Sequence, residues 1–478
     1  MKRNEEGVTP PQKHHEVLML KRYIGDKAFY RRVFAIAIPI IIQNGITNFV
    51  SLLDNIMVGQ VGTLQMSGVS IVNNLIFIFN LCVYGACSGA GIFTAQFYGS
   101  RDHVNIRNTF RFKLISNVSL TALAVAVFLL MGDALIGLYL HGEGDPAEAA
   151  RTLGFGIDYM KVMLLGLLPF ALTTTYASTL RECGQTRVPM IAGVCAVVLN
   201  LVLNYILIFG HFGLPAMGVR GAALATVISR YMELTIVAAW THLHHQEHPF
   251  IRGTYRSLRI PLVLLKDILK KGSPLLLNEF LWACSMAIMN QSYSTCGLNV
   301  VPAMNISSTM YNLSSVVFMA MGISVGIIMG QMMGAGEPES VVRDHNRKLI
   351  TASVISGVAF SAMMLAVSGM FPRLYNTNGE VRHLATRMIC ISALMLPVNA
   401  YTHSTYFTLR SGGQTMVTFL FDSCFQWLIC VPLAFFLSRF TPITILPLYL
   451  ICQSTDILKS FIGFRMLRQG KWIRNLTQ

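Results

Sequence analysis

Two long stretches of this chain contain neither lysine nor arginine, residues 33–100 and residues 272–342. Each stretch has room for two membrane helices, because one crossing takes about 20 apolar residues. Only 12% of the 478 residues are charged, while 53% are hydrophobic. A soluble domain carries about a quarter charged residues. The chain is therefore expected to be an integral membrane protein.

The apolar segments between the charge clusters predict an all-α fold of about twelve transmembrane helices. Backbone amides find no water in the bilayer core, so each span is expected to be helical. The predicted spans are residues 33–58, 66–97, 110–132, 152–180, 188–210, 217–241, 268–296, 300–333, 348–370, 383–409, 415–438 and 442–466.

The connecting segments predict the orientation of the chain. Lysine and arginine concentrate in residues 1–32, 98–113, 242–271, 335–348 and the tail after residue 467. The intervening loop, residues 133–151, holds Asp133, Glu143, Asp145 and Glu148 against Arg151. Since cytoplasmic loops carry the excess of positive charge, both termini are expected in the cytoplasm. The expected location is the inner (plasma) membrane.

The two halves of the chain resemble each other in sequence. Three features recur: TLRECGQT at Thr179 as TLRSGGQT at Thr408, QFYG at Gln96 as QMMG at Gln331, and Pro39 as Pro274. The offsets are 229, 235 and 235 residues, close to half the chain. Duplicated halves around a central site are typical of transporters. The predicted parts are a cytoplasmic N-terminal segment 1–32, a six-helix lobe 33–241, a cytoplasmic linker 242–267, a second six-helix lobe 268–467 and a cytoplasmic tail 468–478.

Several motifs point to one transporter family. They are LDNIMVG at residues 53–59, QFYG at residues 96–99, the paired TLRECGQT and TLRSGGQT turns, and Asn200-x-x-x-Asn204-Tyr205. Together they resemble the multidrug and toxic compound extrusion (MATE) transporters from about Val33 to about Leu467. The resemblance implies a V-shaped bundle of two six-helix lobes. It also implies export of amphipathic, often cationic, organic compounds in exchange for protons or sodium.

Asp54 is the strongest candidate site residue. It lies in the first predicted span, which holds no lysine or arginine. Inserting an ionisable side chain into a membrane span costs about 2.5–3.5 kcal/mol, so such a residue usually faces an interior cavity and has a function. The resemblance places a coupling acid at this position. The alternative is a structural acid that is hydrogen-bonded to neighbouring helices.

Asn200 and Asn204 lie one turn apart on one face of the fifth span, and Thr226 lies in the sixth. With Asp54 they form the predicted ion-coupling site, which would carry one carboxylate. Family members have either Asp or Asn at the second of the two positions. Amide oxygens can coordinate sodium but cannot carry protons, and interhelical hydrogen bonding is an equal alternative for these residues. The coupling ion is a proton or sodium, and no other cofactor is expected.

The predicted substrate cavity is lined by Gln43, Asn44, Glu279, Asn399 and His403. Glu279 mirrors Asn44 in the repeat and is expected to receive a cationic substrate, with a structural role as the alternative. His403 follows Asn399 by one helical turn and could relay protons, or it could be a hydrogen-bonded core histidine.

Two departures from the family bear on a second ion site. Sodium-coupled relatives carry their glutamate about one turn beyond Glu279, where this chain has Trp282, and their tenth-helix aspartate corresponds to Asn399.

Asp422 is expected near the cytoplasmic end of the eleventh span. Asp456 and Lys459 are spaced i,i+3 and are expected to neutralise one another.

The same residues bear on other functions. A flippase for lipid-linked pyrophosphate sugars would need Lys or Arg in the cavity, and the first, second, seventh and eighth spans hold none beyond Lys270 and Lys271 at the start of the seventh. No filter loop of a channel, no GxxxxGK[ST] loop and no catalytic HExxH set is found in the sequence, so an enzyme is not expected. The basic residues lie at helix ends, which argues against nucleic acid. No metal is assigned to the histidines of residues 242–248. The expected partners are small organic cations and membrane lipid, and the expected state is a monomer.

Overall fold

The computed structural model describes residues 22–140, 146–375 and 377–477, without the side chains of Ser51, Leu52, Asn55 and Ile56. Parts of several predictions therefore lie wholly or partly outside the description: residues 1–21 of the N-terminal segment, Glu143 and Asp145 of the acidic loop, Asn55 and Ile56 of the LDNIMVG motif, and residue 478 of the tail.

Twelve long helical elements follow one another in the described part of the chain. They are α1 Lys27–Val61, α2 Thr63–Gly99, α3 His103–Leu140, α4 Pro146–Glu182, α5 Arg187–Phe209, α6 Gly218–Leu243, α7 Leu262–Ser294, α8 Val300–Gly334, α9 Glu339–Val367, α10 Gly379–Ser411, α11 Thr415–Phe440 and α12 Ile445–Gln469. Eleven of these helices are long and apolar enough to cross a membrane. The twelfth, α7, is equally long but begins with a charged segment. The predicted all-α fold is confirmed.

Most helices extend beyond the predicted apolar spans. The first span was predicted from Val33, but α1 begins at Lys27, because the Asp26 side chain accepts a hydrogen bond from the Phe29 amide at 2.7 Å and caps the helix. Asn378 caps α10 in the same way through the Val381 amide at 2.8 Å. Hydropathy detects the apolar stretch, whereas capping side chains decide where a helix begins.

Two helices depart from regular α geometry. A 3₁₀ turn, Leu164–Gly166, interrupts α4. In α11 two π-helical segments, Leu420–Cys424 and Gln426–Cys430, follow each other. Such π segments change which side chains face a neighbouring helix and occur often at functional sites.

The helices form two lobes, α1–α6 (the N-lobe) and α7–α12 (the C-lobe), each with its own apolar clusters. A further cluster joins the lobes, because the first half of α1 packs on α8. Val33 and Ile40 of α1 lie in one buried group with Val325 and Ile328 of α8. The first helix of the N-lobe is therefore in contact with the C-lobe as well.

The repeated Gln-x-x-Gly motifs meet face to face between the lobes. Gly99 lies against the backbone oxygen of Gln331, and Gly334 lies against that of Gln96, so a Cβ atom at either glycine would overlap an oxygen. We call these four residues the lobe junction. The hydrogen bonds that join the lobes among the described residues all lie at this end of the molecule.

Candidate functional site

Four of the predicted residues, from three helices of the N-lobe, form one hydrogen-bonded cluster. The Asn204 amide nitrogen donates to Asp54 Oδ1 at 2.7 Å and to Asn200 Oδ1 at 3.1 Å. The Asn200 nitrogen donates to the Thr226 hydroxyl at 3.3 Å. Asn200 and Asn204 are buried, whereas Asp54 and Thr226 are half-buried. We call this group the Asp54 cluster.

The sequence places these side chains together for simple reasons. Asn200 and Asn204 are four positions apart on α5, so they point the same way. Thr226 donates its hydroxyl proton to the Ala222 carbonyl one turn earlier, at 3.1 Å. The lone pairs of that hydroxyl are then available to accept from Asn200, which ties α6 to α5.

No positive side chain neutralises Asp54 in the described part of the chain. The ion pairs found there join other residues. The hydrogen-bond partners of the Asp54 carboxylate are neutral amides, which stabilise a negative charge only in part. An ionised Asp54 therefore calls for a proton or cation from outside the protein.

The amide of Asn200 can take two orientations, and they suit two charge states. Its oxygen position lies 3.1 and 3.0 Å from the two oxygens of Asp54. A nitrogen there would donate to an ionised carboxylate. The amide oxygen would then accept from the Thr226 hydroxyl at 3.3 Å, once that hydroxyl turns its proton away from the Ala222 carbonyl. An oxygen there requires a proton or a cation between itself and Asp54.

An unpaired oxygen adds to this cluster. Asn204 Oδ1 is buried and has no hydrogen-bond partner among the described residues. All four side chains of the cluster carry oxygen atoms, the ligand type that hard cations prefer.

The C-lobe residues sit in different surroundings. Glu279 is half-buried and makes no ion pair or hydrogen bond with another described residue. The Asn399 amide donates to the Tyr311 hydroxyl at 3.1 Å, while its own oxygen is buried and has no partner within the described part of the chain. The His403 ring packs edge-on against Phe407, with ring centres 5.0 Å apart.

Gln43 and Asn44 are both half-buried on α1. Gln43 accepts a hydrogen bond from the Arg181 guanidinium at 2.7 Å, which ties it to the end of α4. Asn44 has no hydrogen bond to another described residue. The structure thus unites the four ion-coupling residues, whereas the five cavity residues contact separate neighbours.

One expectation about charges in the C-lobe was wrong. Lys459 pairs with Asp422 at 2.5 Å, not with Asp456. Asp422 also accepts a hydrogen bond from Asn278 of α7 at 3.0 Å, next to Glu279 in the chain. The pairing follows from the packing of α11 on α12, with Asp422 in a π-helical segment, and spacing along one helix does not reveal it.

A second buried ion pair was also missed. Lys113 is fully buried, pairs with Glu182 at 2.5 Å and donates to Ser178 and Thr179 at 3.2 Å. In the sequence Lys113 falls in the basic segment 98–113, and only the packing of α3 on α4 shows that it is buried. Within the described residues, no group of three or more His, Cys, Asp or Glu side chains is arranged to hold a metal ion.

Comparison with known proteins finds a family model and relatives that match most of this chain. The MatE family model matches residues 39–206 and 274–436, and both segments begin at a repeated proline. The chain is 25% identical over 458 residues to a probable multidrug resistance protein NorM of Thermotoga maritima, which covers 92% of this chain and 93% of that protein. It is 26% identical over 457 residues to the probable multidrug resistance protein YoeA of Bacillus subtilis, with 94% and 96% covered.

The fold is shared with solved structures. A multidrug resistance MATE family transporter of the MOP superfamily, in an outward-facing conformation, superposes with a TM-score of 0.83. It is 19% identical in sequence, and the match covers 94% of this chain and 98% of the solved one.

Proposed function

This chain belongs to the MatE family, the multidrug and toxic compound extrusion transporters, and from that premise we propose that it is a secondary active antiporter. It exports small organic cations in exchange for protons or sodium ions. The relatives in Thermotoga maritima and Bacillus subtilis are named as probable multidrug resistance proteins, which supports a range of organic substrates. The Asp54 cluster supports the exchange of ions.

One observation carries the proposal: Asp54 is held among neutral amides and a hydroxyl, with no ion pair to a described residue. A charged carboxylate in a poorly hydrated site is penalised by desolvation, and a proton or sodium ion relieves that penalty. The cluster therefore has a reason to take up an ion from solution. Each orientation of the Asn200 amide suits one state of Asp54. In the ion-free state the amide nitrogen donates to the ionised carboxylate, and in the ion-bound state the amide oxygen faces the bound ion.

Helix α1 connects ion binding at Asp54 with the arrangement of the lobes. Its first half packs on α8 of the C-lobe, and its second half is bonded through Asp54 to Asn204 of α5. Pro39 lies inside α1, where it removes a helical hydrogen bond and favours bending. A change of charge at Asp54 therefore alters the contact of α1 with α5, and α1 carries this change towards the C-lobe.

The direction of access follows from the proposed orientation. With both termini in the cytoplasm, the lobe junction closes the cytoplasmic side and the substrate site faces outward. Ion binding at Asp54 then favours one of two access states, and substrate binding favours the other. A ligand shifts such an equilibrium only through its different affinity for the two states.

The charges of the cavity helices support cationic cargo. Residues 33–100 and 272–342 supply α2, α8 and most of α1 and α7, and they contain no lysine or arginine. Glu279 offers a carboxylate free of partners among the described residues. An anionic pyrophosphate headgroup would find no counter-charge on these helices, so the flippase alternative is not favoured.

Purified protein in liposomes tests the proposal. Uptake of a fluorescent quaternary ammonium dye is followed under a pH gradient without sodium, under a sodium gradient without a pH difference, and with no gradient. We expect dye accumulation with one of the two gradients and its collapse on adding the matching ionophore. Equal dye flux in all three conditions would contradict antiport.

A further inference from the structure

The segment that follows α12 crosses from one lobe to the other. Trp472 is only 2% exposed and lies in the cluster that contains Leu409 and Phe421 of the C-lobe. Four residues later, Leu476 packs against a cluster built mainly from the N-lobe, which includes Phe97 and Leu180. Residues 470–477 therefore span the boundary between the lobes at the lobe junction.

The centre of this crossing is the buried side chain of Gln96. Its nitrogen donates to the backbone oxygen of Ser411 at 2.9 Å and to that of Arg474 at 3.1 Å. Its oxygen accepts from the backbone amide of Leu476 at 2.6 Å. Both donors and the acceptor of the carboxamide are satisfied, and two of the three bonds come from the tail.

The equivalent residue of the second half provides an internal comparison. Gln331 donates to the backbone oxygen of Glu182 at 2.8 Å, and its oxygen accepts from the Arg32 guanidinium at 3.1 Å. Glu182 and Ser411 occupy matching positions in the repeated turns, so each glutamine caps a turn of the opposite lobe. The repeat thus accounts for the bond of Gln96 to Ser411. The Gln331 oxygen accepts its hydrogen bond from Arg32, whereas the Gln96 oxygen accepts from the tail.

The tail is fixed more firmly to the C-lobe than to the N-lobe. Trp472 is buried there, and the Lys471 carbonyl accepts from the Gln414 side chain of the C-lobe turn at 3.0 Å. Leu476, by contrast, is half-buried. When the lobes separate, the tail is expected to stay with the C-lobe and to lose Gln96.

We propose that Gly470–Thr477 is a strap that clasps Gln96 and holds the lobe junction closed, and that it releases Gln96 each time the junction opens. The strap rests on the alternating access proposed above. Its bonds to Gln96 exist only while the junction is closed, so their entire net free energy stabilises the closed state. Removing the strap therefore raises the open population.

Spin labels at Ser100, which follows α2, and Glu337, which follows α8, report on the junction. Both positions are exposed, one in each lobe. Double electron–electron resonance on the protein in nanodiscs measures the distance between the two labels. The distance distribution gives the open and closed populations across pH and sodium concentrations. Removal of residues 470–478 is expected to raise the open-to-closed ratio at least about fivefold, the worth of one net hydrogen bond. An unchanged ratio would overturn the strap.

A pair of matched variants tests whether the strap acts through Gln96. Gln96→Met and Gln331→Met each keep the volume and remove a carboxamide at equivalent places. Strap removal should have a much smaller effect in Gln96→Met protein and its full effect in Gln331→Met protein, because only Gln96 contacts the tail. Equal effects in both backgrounds would overturn the proposal.

A milder pair covers the case in which the shortened chain folds poorly. Leu476→Ala trims a side chain that packs on the cluster built mainly from the N-lobe and that also lies against Gly413 of the C-lobe turn. Ile473→Ala changes a residue that packs on the cluster of Trp472 and Leu409. The first should raise the open ratio more than the second, and the reverse order would contradict the strap. A label distance that never changes, in any variant or condition, would contradict alternating access itself. A junction that opens but ignores these variants would contradict the strap alone.

Discussion

Asp54 of the N-lobe and Asp422 of the C-lobe have opposite surroundings. Asp54 accepts from Asn204 at 2.7 Å and has no ion pair with a described residue. Asp422 is paired with Lys459 at 2.5 Å and also accepts from Asn278. The C-lobe thus supplies a cation to Asp422, as the N-lobe supplies Lys113 to Glu182, whereas no described residue supplies one to Asp54.

This difference separates a structural acid from a coupling acid. A carboxylate paired with a lysine is neutralised in every state of the protein, so it has no need of an ion from solution. A carboxylate among amides is neutralised only when a proton or sodium ion binds. The missing counter-charge, more than the acid itself, is the observation that supports the coupling role proposed for Asp54.

The largest expected effect comes from Asp54→Asn. The variant keeps the shape and much of the hydrogen bonding of the Asp54 cluster but is permanently neutral. It should fold and bind substrate, while gradient-driven dye accumulation in liposomes falls to the level of protein-free liposomes. Near-normal accumulation by a well-folded variant would remove Asp54 from the mechanism, and loss of folding would favour the structural alternative.

The C-lobe pair should respond through stability. Lys459→Met leaves Asp422 charged and unpaired, which is expected to cost about 3–5 kcal/mol in the free energy of unfolding. Thermal unfolding in detergent measures the loss, and adding Asp422→Asn should recover much of it. Lys348→Met is the control, because the partly exposed Lys348–Asp344 pair is expected to be worth about 1 kcal/mol or less. Similar losses for both lysines would break the comparison between the lobes.

Asn204→Ala should shift the ion dependence of transport without abolishing it. A hydrogen bond to a charged group is worth about 1.5–3 kcal/mol, which corresponds to about a ten- to hundredfold change in ion concentration for half-maximal transport. For a proton-coupled carrier the requirement moves to lower proton concentration, because the ionised carboxylate loses a donor. For a sodium-coupled carrier it moves to higher sodium concentration, because an oxygen ligand is lost. If neither the proton nor the sodium concentration for half-maximal transport changed, Asn204 would have no role in ion coupling.

The smallest effect is expected from Glu279→Gln. The substitution removes a charge with no ion-pair partner among the described residues, so binding of cationic substrates should weaken about fivefold relative to neutral substrates of similar size. Competition against a fluorescent substrate gives both affinities. Equal losses for the two classes would assign Glu279 to folding or general gating.

The features that sequence predicts well here are those written along one helix. The twelve helices follow from apolar length, and the common face of Asn200 and Asn204 follows from their spacing. The partners of Asp422 and Gln96 could not be predicted, because they depend on which helices pack together. Lys459 lies 37 positions from Asp422, and Ser411 lies 315 positions from Gln96. The repeat identified Gln96 and Gln331, but only the packed lobes show that each caps the other half.

The most direct test of the coupling role of Asp54 counts the ions released when substrate binds. Calorimetric titration of the purified protein in buffers of different ionisation enthalpy measures proton release, and repeating it at several sodium concentrations measures sodium release. The wild-type protein should release about one proton or one sodium ion per substrate bound, since binding of one ligand must weaken binding of the other by the same factor. Asp54→Asn should bind substrate and release neither. Ion release that is unchanged in Asp54→Asn would contradict the account.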